Sequence, residues 1–177
     1  MVTVDMPTKP LSTVPRIVAV AVAVLLSLAG CNGIPVDPDG TLERASGGVL
    51  RVGMSPQEPW TASEGGERSG VEVGLIEEFA AGVDAEVEWH DGGEESLIGD
   101  LHRGELDVVV GGLTEKSPWV DQAALTRPYV VVDGPAGSPE PHVMATRMGE
   151  NALLVALERF LAERSTEIAQ QVGGEAP

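Results

Sequence analysis

The chain has 177 residues and carries 28 acids against 11 lysines and arginines, a formal net charge of −17. Such an acidic surface repels nucleic acid and anionic lipid head groups, so the nucleic-acid-binding classes are excluded. Its single cysteine rules out an intramolecular disulfide, and its three histidines lack the spacing of a metal site.

Residues 1–30 read as an export signal. Lys9 and Arg16 supply a basic start, residues 17–26 form an apolar run of signal-peptide length, and small residues lead into Cys31. The run is short for a bilayer span. Leu28-Ala29-Gly30-Cys31 resembles the bacterial lipobox, which implies cleavage before Cys31 and lipid on that cysteine. Two acyl chains on one residue anchor a protein stably without spanning, so the expected location is the extracytoplasmic face of the cell membrane. Removing the leader takes away one acid and two bases and leaves 27 acids against 9 bases, a net charge of −18. Residues 31–48, rich in Pro, Gly and Asp, read as a flexible tether. Residues 49–172 are enough for one domain, and 173–177 are expected to form a disordered tail.

Within that domain, residues 49–53 read as a first strand, followed by a loop over 54–69 in which Pro59-Trp60 puts a large aromatic on the rim. Ser69 and Glu72 have capping-box spacing ahead of a helix over 73–81, with Leu75, Ile76, Phe79 and Ala80 on one face. Residues 86–89 alternate as an exposed strand, and 94–103 form a helix closed by Gly104. Residues 106–110 are a nearly continuous apolar run ending in Gly111-Gly112, the pattern of a buried central strand. The order β-α-β-α-β predicts half of a doubly wound sheet. A short helical turn is expected from Pro118, a strand over 130–132, a turn-forming linker over 133–141 and a short strand over 142–145. The longest helix covers 150–171, with Leu153, Leu157, Phe160, Leu161 and Ile168 inward and Arg159 spaced to pair with Glu163.

In open α/β sheets ligands sit beyond the carboxyl ends of the strands. Trp60 and Trp119 either form an aromatic platform for a cationic or sugar-like ligand or pack the loops. Thr114 with the Gly111 and Gly112 amides either holds a ligand carboxylate or hydroxyl or closes an ordinary turn. Glu72 either faces a ligand amine or caps its helix. No nucleophile elbow, Walker loop or dinucleotide fingerprint occurs, so no catalytic residue, cofactor or metal is expected and the reading is non-enzymatic.

The ordered set of Leu50-Arg51-Val52-Gly53, Pro59-Trp60, Gly70-Val71-Glu72-Val73-Gly74-Leu75, Gly112-Leu113-Thr114 and Leu125-Thr126-Arg127-Pro128-Tyr129 resembles the extracellular solute-binding proteins of family 3, the amino-acid receptors of ABC importers. Val71 stands where the family has an aromatic, and Gly74 where it has a second acid. The resemblance implies one lobe of a type 2 periplasmic-binding-protein fold: three-layer α/β, a mixed and mostly parallel sheet, and a long C-terminal helix. The family inserts a second lobe after the Pro-Tyr element. Here only 133–141 fills that place, which implies half of a two-lobed clamp. Counted without gaps, Trp119 occupies the position of the family's carboxylate-pairing arginine, and an indole cannot form that bidentate contact. The implied partners are a small solute and an ABC permease or a separately supplied second lobe. The alternative function is a surface lipoprotein that binds no ligand and docks proteins through its open face.

Overall fold

In β1 (Val49–Met54), Leu50, Val52 and Met54 lie fully buried on one face. On the other, Gly53 is so closely overlaid that a Cβ would meet Leu106 Cδ1 at 2.7 Å. A strand apolar on both faces needs a helix layer on each. The computed structural model, which describes residues 35–134 and 137–177, supplies both. On one side pack α2 (Val71–Gly82) and α4 (Asn151–Val172), burying Ile76, Phe79, Leu153, Leu157 and Leu161 against Leu50, Val52 and Val108. On the other, α3 (Glu94–His102) buries Leu97, Ile98 and Leu101 with Leu106 and Val109.

β1 pairs in parallel with β4 (Glu86–Asp91) and with β5 (Val108–Val110). Beyond β5 the pairing becomes antiparallel, to β9 (Ala145–Thr146) and then to β6 (Ala124–Leu125), giving the order β4-β1-β5-β9-β6. This is the expected mixed, mostly parallel sheet between helix layers. The chain returns to it after a hairpin in which β7 (Val130–Asp133) pairs with β8 (Pro139–His142). Both ends of the 133–141 linker, Asp133 and residues 139–141, are therefore strand. The expected strand over 142–145 is split, with His142 ending β8 and Ala145 starting β9.

Several expectations give way to local physics. Residues 37–48 do not hang free as a tether. Asp37 Oδ1 accepts the Ala152 and Leu153 amides at 2.5 and 3.2 Å, while its Oδ2 accepts that of Leu42 at 2.8 Å in α1 (Thr41–Ala45). Glu150, buried, accepts the Asp39 and Thr41 amides, both at 3.1 Å. The tail is pinned too: Glu175 and Val131 exchange two backbone hydrogen bonds at 2.8 and 2.9 Å, because β7 offers an unpaired edge there. The loop over 54–69 contains a small hairpin, β2 (Ala62–Glu64) with β3 (Glu67–Ser69). The expected short helical turn after Pro118 does form, with the Gln122 and Ala123 amides donating to the Trp119 carbonyl at 2.8 and 2.9 Å. Among the described residues Glu163 lies 3.8 Å from Arg164 and is not paired with Arg159. The leader and Cys31 lie outside the described residues.

Candidate functional site

The carboxyl ends of β1 and β5 open onto a rim formed by residues 55–60 and 111–119. One charged group organises it from beneath. Gly70 precedes α2 at φ 117°, and a Cβ there would lie 2.3 Å from the Trp60 carbonyl oxygen. That approach lets the Val71 and Glu72 amides donate to the Pro59 and Trp60 carbonyls at 3.3 and 3.0 Å. The start of α2 is thus satisfied by backbone, and the expected capping box does not form. Glu72 turns inward, with no exposed surface. Its Oε2 accepts the Gly111 and Gly112 amides at 2.7 and 3.0 Å, and its Oε1 accepts the Tyr129 hydroxyl at 2.6 Å. Burial raises the Glu72 pKa above the ordinary carboxylate value against the pull of these three donors, and burial beside Glu72 raises that of Tyr129 well above the usual phenol value.

Two of the expected ligand contacts are therefore spent on each other. The Glu72 carboxylate and the Gly112 amide hold the rim loop and leave nothing free for a solute. Gly112 itself sits at φ 66°, and a Cβ would meet Trp60 Cδ1 at 2.5 Å, so Trp60 seals the loop from below.

The expected indole platform is absent as well. Trp60 is only 6% exposed and stacks on His142 with ring centroids 3.9 Å apart and planes at 31°, its edge against Tyr129 at 6.2 Å. Trp119 packs half-buried against the other core, with Leu97 and Leu113, and its indole N–H donates to Glu94. The two tryptophans serve different layers. His142 is the residue that sequence reasoning missed. Burial lowers its pKa below the usual imidazole value; Glu140 and the Gly112 and Leu113 backbone pull the other way, without either ring nitrogen reaching hydrogen-bond geometry. Only its place after a Pro-rich turn marked it, which carries no chemical signal.

Thr114 does stand at the rim, half-buried, its backbone bridged to His142. Among the described residues its hydroxyl makes no hydrogen bond. Beside the β2–β3 hairpin an open groove of ≈ 600 Å³ is lined by Gln57, Glu58, Thr61, Ser63, Glu64 and Ser69 among others. Glu58, Glu64 and Glu115 are exposed and lack ion-pair partners among the described residues. No group of three or more His, Cys, Asp or Glu residues there is placed to hold a metal ion.

This arrangement, a mixed sheet whose antiparallel strand returns after a Pro-Tyr element, fits a known family model, which matches residues 50–170. The chain belongs to the bacterial extracellular solute-binding proteins, family 3. The arginine-bound form of domain 1 from TmArgBP is 30% identical at a TM-score of 0.60, covering 68% of this chain and 97% of that one. A point mutant of the same domain gives 29% identity and a TM-score of 0.62, covering 71% and 98%. The unliganded, open L-cystine solute receptor of Neisseria gonorrhoeae shares the fold at 14% identity and a TM-score of 0.62, covering 76% and 97%. No curated protein matches the chain. The sheet and the long C-terminal helix make a single lobe. Among the described residues no helix is long and apolar enough to cross a membrane.

Proposed function

We propose that this protein is a lipid-anchored, extracytoplasmic and non-enzymatic solute-binding lobe that serves ABC-type import of amino acids or related small cationic solutes. The observation that carries the reading is the similarity to domain 1 of TmArgBP, whose arginine-bound form is a single domain matched over nearly its whole length. The unpaired carboxylates of Glu58, Glu64 and Glu115 at the rim favour a cation over an anion. Thr114 offers a hydroxyl at the rim, next to Glu115 in the chain. Family membership supports an importer as partner, and the lipobox at Cys31 supports the anchor.

A single lobe leaves half of a small ligand in water, whereas ligand pockets usually bury most of it. Isothermal titration of the mature chain with arginine, lysine and glutamate tests the proposal. Saturable heat is expected with arginine or lysine at a Kd weaker than micromolar, none with glutamate, and roughly tenfold weaker binding in Glu58→Gln. Silence with both cations overturns the solute reading, and micromolar binding by a monomer overturns the half-clamp.

A second reading, a docking module, is favoured by one observation. Val120, next to Trp119, is 52% exposed on the rim side. Trp119→Ala that abolishes capture by an importer component and leaves arginine binding unchanged would favour it.

A further inference from the structure

The two ends of the lobe differ in what they expose. At the end of the sheet opposite the rim lie the first residues of β1 and β5, the turn after β9 and the start of α4. Here Asp107 accepts Arg51 and Arg44 at 2.6 and 2.5 Å, and Arg147 pairs with Asp39. Asp37 and Glu150 lock residues 37–41 onto the same pole. From this pole α4 runs 22 residues, about 33 Å, to the β7–β8 hairpin on the rim side, where Glu175 pairs with Val131. The pole is also where apolar surface collects. Of the four large apolar side chains that are exposed among the described residues, Val36, Val49 and Met148 lie here, and only Val120 lies at the rim.

Cys31 and Asp37 are six residues apart, a reach of roughly 20 Å when fully extended. For the rim to meet the bilayer, Asp37 would have to stand about 33 Å above it. The chain is too short for that while Asp37 stays locked. Resting on the anchored reading above, we propose that the Val36–Val49–Met148 pole is seated on the lipid surface and that the rim faces away from the membrane. Glu43, Asp84 and Glu86, exposed at the same pole, add negative charge, so the seat is set by reach and apolar contact and does not depend on anionic lipid.

The test uses the lipidated chain in phosphatidylcholine vesicles containing spin-labelled quencher lipid, with a fluorophore on Met148→Cys or on Val120→Cys. The label at 148 should be quenched several-fold more than that at 120. Inserting twenty Gly/Ser residues after Gly33 should abolish the difference. Equal quenching in the original chain, or stronger quenching at 120, overturns the orientation while leaving the anchor intact. Detergent-phase partitioning that does not change in Cys31→Ala, or a mature chain that stays in the aqueous phase, overturns the anchor and the orientation with it.

Discussion

At the scale of single residues, Glu72 is the group on which the rim depends. Three donors converge on one carboxylate with no exposed surface, so truncation strands the Gly111 and Gly112 amides and the Tyr129 hydroxyl together. Leaving a buried polar group unpaired costs about 1–3 kcal/mol each. Glu72→Ala is therefore expected to lower unfolding free energy by about 3–5 kcal/mol, the range for breaking a buried charged network. Glu72→Gln keeps an acceptor for the two amides and can donate to the tyrosine oxygen, so its loss should be under half of that. Urea unfolding of the two variants against the parent checks the order, and equal losses would show that shape matters there and hydrogen bonding does not. The sequence reading put Glu72 just ahead of a helix over 73–81, as a cap or a contact for a ligand amine, whereas it lies in the first turn of α2 and turns into the core. Capping-box spacing is a local signal. Which carbonyls reach the helix start depends on Gly70 letting a loop ten residues earlier approach the backbone.

At the scale of elements, the parallel β-α-β-α-β core was legible because its strands and helices are long or strongly apolar. Residues 106–110 and the Leu153–Leu157–Leu161 stripe leave little choice. The two-residue β6 and β9 and the exposed β2–β3 hairpin were not, since pairings that short carry no periodicity of their own. The Asp37 tie was missed for a similar reason: its partners Ala152 and Leu153 lie more than a hundred residues away. One carboxylate serves the starts of both α1 and α4 there, favoured by both helix dipoles. Asp37→Ala is expected to cost about 2 kcal/mol, which in a domain of this size lowers Tm by roughly 4–8 °C. Differential scanning calorimetry measures it, and a shift within error would mean that water replaces the cap without loss.

For the molecule as a whole, pH acts through two buried carboxyls with opposite signs. Burial tends to raise Asp107, but Arg51, Arg44 and the Arg51 amide outweigh it and lower its pKa below the ordinary value. Its stabilisation is present above the unfolded pKa and is lost as pH falls through the folded one. Glu72 is raised, so its contribution is complete below the unfolded value and is lost as pH rises through the folded one. Self-repulsion of a chain at −17 adds to the decline toward neutrality. Urea midpoints should therefore peak at mildly acid pH and fall on both sides. The neutral-side decline should be shallower in added salt and in Glu72→Gln, and a midpoint rising steadily to pH 8 would contradict this.

The stack of Trp60 on His142 bears on how the fold can be watched. Trp60 is the one fully enclosed indole of three and lies face to face with an imidazole that burial keeps uncharged near neutrality. Its emission belongs at the blue edge of the spectrum. Since the hairpin carries the imidazole and the rim loop carries the indole, separating them moves that light to the red. The chain thus holds its own optical gauge of whether the seam between loop and hairpin is shut.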